Sequence, residues 1–338
     1  MANTTLTADV IAKEAVMILD NELVMGKKVY RGYEKEFNKN VNGYTVGESI
    51  SVRKPTDFTV RDGATASIQD ATEGKTNVTV DKMKGIDFAF TSTDLTLQIK
   101  DLSERIIKPA MIQLANQVDV DLMAEYANIP SWVGTPGQTI DAFADFAKGP
   151  ERADELANPG EGRCSVLSPA DHWGLVGSQT ALYTDTIAKP AYRKGSTGMV
   201  GNVDLYMSQN VPTHTVGVNT GTPLVNGASQ DTTYALTKDT GTQSLITDGW
   251  TNSTTGILKA GDVFTIAGVF AVNPVTKATL PFLRQFVVKA DANSGASTGP
   301  ATLTIAPAMI ASGAFQNVSA APADNAAITV MGTGATGY

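Results

Sequence analysis

Few residues in this 338-residue chain have the type and spacing that catalysis requires. The chain has two histidines, His172 and His214, which are far apart in sequence and lack metal-ligand spacing, so we interpret both as structural. Asp119 and Asp121 fall on one predicted helix but point about 200° apart around its axis, which makes them poor partners in acid–base catalysis. Cys164 lies in an apolar run that predicts a buried strand, and buried thiols are usually inert.

Two short motifs resemble known reactive sites without meeting their requirements. The run from Gly74 to Thr76 matches the end of a phosphate-binding loop, but Gln69 stands where that motif requires glycine. Ser51 and Lys54 have the spacing of a serine–lysine nucleophile, yet they fall in a predicted strand and not on the helix that the motif needs. We therefore expect a protein that is not an enzyme and that has no cofactor and no metal ion.

The overall composition excludes several other classes of protein. The net charge is −8 and the sequence pI is about 4.9, which disfavours tight binding of nucleic acid, because phosphate contacts need clustered positive charge. No apolar run approaches the roughly 20 residues of a membrane span, so we expect no membrane contact. The N-terminus lacks the pattern of a signal peptide, and the single cysteine cannot form an intrachain disulfide. These features are typical of a protein that folds in a reducing cytoplasm.

Charge is distributed unevenly along the chain. Residues 1–216 hold 49 of the 60 charged residues, whereas residues 217–338 hold 11 and are rich in Thr, Ser, Gly and Ala. This shift predicts a domain boundary near Val216.

The element with the clearest pattern is a long helix from Asp101 to Tyr126. Apolar residues recur there at steps of three and four, which makes one stripe along a helix. The stripe comprises Ile107, Met111, Leu114, Val118, Leu122 and Tyr126. Pro109 removes one helical hydrogen bond and crowds the preceding turn, so we expect a bend near Arg105.

A shorter helix is predicted from Thr7 to about Val24. A helix of this length is marginal alone, so it must pack either on its own domain or on a neighbouring chain. A basic-rich stretch follows it and gives local positive charge in an acidic chain. Its lysines and arginine, which we predict to attract an acidic partner, are Lys27, Lys28, Arg31 and Lys35.

Residues 44–60 and 78–90 alternate between apolar and polar side chains, which favours a β-hairpin with a polar tip at 61–77. A two-stranded ribbon is marginally stable in water, so this hairpin is either a solvated surface loop or, as we prefer, an arm that spans subunits. The charged residues that we predict to contact other subunits are Arg53, Lys54, Asp57, Arg61, Asp62, Asp70, Glu73 and Lys75.

The remaining chain divides into a mixed region and an all-β region. Strands are predicted at 163–167 and 199–208, and a helix capped by Ser168 lies between them, with Pro169 at its first position. Short strands between glycine-rich turns then favour a small β-barrel or sandwich. These strands are predicted at 261–269, 283–289 and 301–305, and the core is predicted to include Val263, Ile266, Val269, Phe286 and Val288.

This order of elements resembles that of the major capsid proteins of tailed bacteriophages, which have the Hong Kong phage-type fold. The resemblance is closest in Asp94–Tyr126, Ser165–Asp171 and Gly198–Ser208. The block Gly261–Val288 resembles the inserted β-barrel domain in the coat proteins of short-tailed, Salmonella-type phages. Members of that branch continue past this domain, whereas the present chain ends at Tyr338.

The resemblance implies an α+β fold with an inserted all-β barrel. The implied divisions are an N-terminal arm (1–40), an extended hairpin loop (41–91), a spine helix (92–130), an outer α+β domain (131–216) and the barrel (217–338). It also implies a non-enzymatic coat subunit that assembles with itself, as pentamers and hexamers, into an icosahedral shell around double-stranded DNA.

The partners that the resemblance implies are scaffolding, portal and decoration proteins, with only weak contact to DNA. It implies that the basic residues listed above contact the scaffolding protein or the particle interior. It also implies assembly in the host bacterial cytoplasm and a final location in the virion. Two alternatives remain open from the sequence. One is the shell protein of a bacterial nanocompartment, and the other is a phage tail or adhesin protein that binds glycans.

Overall fold

The computed structural model describes residues 7–37, 40–41, 44–45, 49–66, 68–71, 73–87, 103–180, 193–195, 197–228, 230 and 241–338. The end of the predicted second hairpin strand, at 88–90, and the start of the predicted long helix, at 101–102, lie outside the described residues. Within them the chain has an α+β fold with a six-stranded, nearly closed barrel-like sheet, as predicted from the sequence. The domain boundaries given above stay a prediction.

The predicted long helix is present as one continuous helical segment, called the spine helix here. It consists of a π-helical turn Ser103–Ile107, the α-helix Lys108–Met123 and a 3-10 turn Ala124–Asn128. The π-helical turn lies where the bend was predicted, and Pro109 follows it directly as the second residue of the α-helix.

The buried face of the spine helix differs by one position from the predicted stripe. Ile107, Ala115, Asp119 and Met123 are its buried side chains, whereas most of the predicted stripe is half-buried. The N-terminal helix Thr7–Glu22 packs along this face. Of the two interpretations of that helix, docking on its own chain is therefore the one that the structure shows.

The hairpin forms, but its paired part is shorter than predicted. Strand Ser49–Arg53 pairs antiparallel with strand Lys75–Thr79, in a register that places Arg53 opposite Lys75. Residues 54–66 and 80–87 leave this ladder as extended chain without strand pairing. Proline at position 55 lacks the N–H that a ladder needs, which accounts for the end of the first strand. Short elements that precede the hairpin are the helix Glu34–Phe37 and the two-residue strands Asn40–Val41 and Tyr44–Thr45.

The outer α+β region has a three-stranded sheet and two helices. Strand Cys164–Leu167 pairs parallel with Val203–Met207, which pairs antiparallel with Met199–Val200. The predicted strand 199–208 is thus two strands joined by a tight turn. The helices are Phe143–Glu155 and Pro169–Thr180. The predicted cap is confirmed, since the Ser168 hydroxyl accepts a hydrogen bond from the Asp171 N–H at 3.2 Å.

The barrel domain consists of six strands, numbered on from the seven strands given above. They are β8 Gly221–Val225, β9 Gln243–Trp250, β10 Val263–Val272, β11 Thr279–Val288, β12 Ala301–Ala306 and β13 Ile328–Val330. Their order across the sheet is β13-β10-β11-β12-β9-β8. A bridge between Leu224 and Ala327 joins the two outer strands and nearly closes the sheet. A register shift in β10 coincides with Gly268 at φ 80°, a conformation that glycine adopts readily.

Apolar side chains from each of the six strands fill the inside of the barrel. Four of the predicted core residues, Ile266, Val269, Phe286 and Val288, belong to this cluster and are at most 1% exposed. Val263 is also buried, but it faces a cleft outside the barrel. The predicted core is therefore confirmed for four of its five residues.

Candidate assembly surface and domain junction

The hairpin presents large apolar side chains that its own chain leaves uncovered. Val60, Ile68 and Met83 are 98%, 94% and 95% exposed. Phe58 and Val80 are about half exposed as well. Apolar patches on a protein surface usually mark sites of protein–protein contact, and these exposed side chains are candidates for such a site.

The second leg of the hairpin, residues 80–87, lies along the end of the spine helix. Lys84 Nζ is 3.3 Å from a carboxylate oxygen of Asp121, and Lys82 Nζ is 3.9 Å from one of Glu125. Met83 lies between the two lysines and points away, as the two-residue alternation of extended chain requires. Charged side chains thus hold this leg to its own subunit while the apolar ones face outward.

The first leg, residues 54–66, contacts the barrel instead. Asp57 Oδ2 is 2.9 Å from Lys277 Nζ in the turn between β10 and β11. This hydrogen bond from the ammonium group lowers the pKa of Asp57 below its ordinary value. Asp57, which was predicted to contact another subunit, therefore has a partner in its own chain.

The other charged hairpin residues form local contacts or lie exposed. Arg53 and Glu73 make a 3.4 Å ion pair across the two strands, next to Lys75. The Arg61 guanidinium donates to the Gly63 carbonyl. Of the other predicted contact residues, Lys54 is half-buried, and Asp62 and Asp70 are exposed. Their contacts with other subunits stay a prediction.

Asp119 ties the N-terminal segment to the spine helix, and sequence reasoning missed this role. Its carboxylate is 2% exposed and accepts hydrogen bonds from the backbone N–H groups of Val24 at 2.8 Å and Gly26 at 3.0 Å. The chain leaving the N-terminal helix therefore turns at a fixed point. No direct signal for this role was available in the sequence, because Asp119 lies one position away from the predicted apolar stripe.

The predicted basic contact residues follow this turn. Lys28 Nζ lies 4.3 Å from the centre of the Tyr206 ring, a cation–π contact with the outer domain. Arg31 pairs with Glu34 at 3.0 Å, and Lys27 is exposed. Lys35 lies in the short helix that begins at Glu34. Whether a scaffolding protein or the particle interior meets these residues stays a prediction.

His214 joins the spine helix to the barrel. Its Nδ1 is 2.8 Å from the Tyr126 hydroxyl, and its Nε2 is 2.7 Å from Oδ1 of the buried Asp262. Asp262 also accepts from the backbone N–H groups of Gly217 and Lys259, at 3.0 and 2.7 Å. Burial, and secondarily the Asp262 charge, raise the pKa of Tyr126. The structural role predicted for His214 is confirmed by these contacts.

A cleft of about 870 Å³ lies beside this junction, between the outer region and the barrel. Two of its charged residues are held in ion pairs, Asp145 with Lys148 and Arg163 with Asp154. Cys164 also lines the cleft and is exposed, so the prediction that it is buried was wrong. The error arose because the strand that carries it is an edge strand whose first residue faces the cleft.

The described part of the chain contains no group of three or more His, Cys, Asp or Glu residues placed to hold a metal ion. Among the same residues, no helix is long and apolar enough to cross a membrane.

The described residues form an extended arm, a long spine helix and a barrel, and they contain no assembled reactive site. This combination is typical of an assembly subunit. Comparison with known families agrees, because residues 1–337 match the family described as "P22 coat protein - gene protein 5". The chain belongs to this family of coat proteins. The resemblance to Salmonella-type phage coat proteins is thereby confirmed.

Individual relatives are distant. The chain is 22% identical over 282 residues to a major capsid protein of Acyrthosiphon pisum secondary endosymbiont phage 1, a match that covers 81% of this chain and 65% of that protein. The chain thus spans less than two thirds of the relative's length.

Among solved structures, one from Mycobacterium phage Che8 is similar with 15% identity and a TM-score of 0.44, over 91% of this chain and 90% of that one. The CUS-3 coat protein I-domain is 30% identical with a TM-score of 0.20, over 34% of this chain and 92% of that one.

Proposed function

We propose that this protein is a major capsid protein whose copies assemble into the icosahedral shell of a bacteriophage, enclosing double-stranded DNA. The observation that carries the proposal is the hairpin arm, whose apolar side chains are exposed in the single chain. Family membership favours this function over a nanocompartment shell or a glycan-binding tail protein.

Burial of the arm on a second copy supplies the driving force. Each apolar side chain removed from water contributes about 1.5–3 kcal/mol. Ion pairs at the rim of such a contact set register and association rate more than affinity. Because every subunit both gives and receives an arm, many modest contacts add up to a stable shell.

The other parts of the proposal concern partners and location. The stretch that contains Lys27 and Lys28 supplies local positive charge, which suits an acidic segment of a scaffolding protein. The net charge of −8 suits a shell that encloses DNA with weak contact. Portal and decoration proteins are further proposed partners. Assembly is proposed to occur in the host bacterial cytoplasm, and the mature location is the virion.

Negative-stain microscopy and sedimentation of the purified full chain test the proposal. We expect closed shells from the parent protein and unassembled, folded chains from a Val60→Asp, Met83→Asp double variant. Ile246→Asp, on a half-exposed aliphatic residue of the barrel, is the matched control and should still give shells. Far-UV circular dichroism checks that all variants fold.

Fibres from the parent protein would favour the tail-protein alternative. Shells of normal size and yield from the double variant would show that the exposed face of the arm does not drive assembly.

A further inference from the structure

We propose a further function for the barrel domain: through Lys277 it fixes the direction of the hairpin arm of its own subunit before assembly. This inference rests on the proposed function of the arm. It is built on a contact between two segments that are 220 residues apart in sequence.

The turn that carries Lys277 is held rigidly. Asn273 Oδ1 accepts hydrogen bonds from the N–H groups of Val275 and Thr276, at 2.9 and 3.0 Å. Asn273 Nδ2 donates to the carbonyl of Glu155, at 3.0 Å, in the last turn of an outer-domain helix. The turn is therefore fixed to the barrel and to the outer domain at once.

The Lys277 side chain is fixed in the same way. Its N–H donates to the Asn273 carbonyl at 2.9 Å, and its backbone adopts φ 58°. Its side chain is 20% exposed, and the ammonium group donates to the Ala314 carbonyl as well as to Asp57. A lysine that is held at its backbone and at its tip presents a charge at a defined place, unlike a freely rotating surface lysine.

The two legs of the arm thus dock on different parts of the subunit. Within the described residues, Asp57–Lys277 is the ion pair that joins the hairpin to the barrel, while Lys84–Asp121 joins it to the spine helix. Two anchors on separate bodies define a direction, whereas one anchor would allow the arm to swing. The barrel consequently sets where the exposed apolar face of the arm points.

Electron–electron distance measurement on the unassembled full chain tests this function. The single cysteine permits a Cys164→Ser background, with spin labels at Ala64→Cys near the hairpin tip and Thr302→Cys on the barrel surface. We expect Lys277→Met to lower the ratio of chains at the parent distance to chains away from it about twofold to fivefold, the range that a surface ion pair supports. Asp57→Asn, in the loop and outside the barrel core, should have the same effect.

The matched control is Lys259→Met, which removes an exposed lysine of the barrel and should leave the distances unchanged. The charge-swapped pair Asp57→Lys with Lys277→Asp should restore the parent distribution. Parent-like distances in both single variants would overturn the proposal, as would equal broadening by Lys259→Met. The distances are measured on unassembled chains, so the result does not depend on the shell assay. A failure of the shell assay would count against the proposed function alone.

Discussion

Replacing Asp119 with alanine should release the N-terminal segment from the spine helix. The change removes a buried carboxylate that accepts two backbone hydrogen bonds, from Val24 and Gly26. Gly26 is buried, so its N–H would lose its acceptor without gaining water, whereas the half-buried Val24 N–H would regain water in part. The variant therefore tests whether one side chain docks the whole N-terminal segment.

The magnitude follows from the charge and burial of these groups. A hydrogen bond to a charged acceptor contributes about 1.5–3 kcal/mol, and an unsatisfied buried donor costs about 1–3 kcal/mol. The Gly26 N–H loses its acceptor entirely, and the Val24 N–H loses it in part. We therefore expect the free energy that docks the N-terminal segment to fall by about 2–4 kcal/mol. A loss of 2 kcal/mol is about a 30-fold change in the docking equilibrium. The helix is only 16 residues long and marginal alone, so undocking should melt it.

Native-state hydrogen exchange followed by mass spectrometry measures this effect. Peptides from residues 7–22 should exchange at least about 30-fold faster in the Asp119→Ala variant, while barrel peptides keep their parent rates. Asp121→Ala is the matched control, since it removes a neighbouring carboxylate whose partners, Lys84 and Gln117, are exposed, and it should change exchange in the helix little. Parent-like exchange in the Asp119 variant would refute the docking role of this carboxylate.

Four other outcomes are expected. Reversing Arg53 and Lys54 to Glu should impair shell formation yet leave the far-UV circular dichroism of the single chain intact; normal shells would contradict the predicted register role. His214→Ala should lower stability by about 1–3 kcal/mol, seen as a lower Tm in calorimetry, because its buried carboxylate partner loses a donor. A fragment of residues 217–338 should unfold cooperatively on heating, and a gradual transition would count against an autonomous barrel. The labelled arm should keep its distance to the barrel above the ordinary Asp pKa of 3.8 and lose it progressively at lower pH, because the contact disappears as the pH falls through the folded pKa of Asp57, which lies below 3.8.

The sequence was most informative where structure is local. The periodicity of the spine helix, the Ser168 cap and the alternating residues of the barrel each predict an element from its own residues. The predicted position of the buried stripe on the spine helix was less accurate, because which face is buried depends on the N-terminal helix that packs there. Ala115 and Asp119 are buried by that packing, although neither is a large apolar residue.

Contacts between distant segments were not predictable from the sequence. No residue near Asp57 or Lys277 in the sequence indicates that the two side chains meet, because their distance depends on how the hairpin and the barrel are arranged. Similarly, Cys164 lies in an apolar run, and its exposure follows from the edge position of its strand. The predicted contacts between subunits depend on further copies of the chain and await the assembly experiments.

The backbones of His214 and Tyr338 exchange two hydrogen bonds, at 2.9 and 2.8 Å. The segment that leads into the barrel and the segment that follows its last strand therefore lie side by side. A module whose two ends are adjacent can be removed or exchanged with little change to the geometry of the surrounding fold. In evolutionary terms, a coat protein could gain, lose or replace such a module in one step. For protein engineering, the same pair of residues is a natural graft point at which a foreign domain could be displayed.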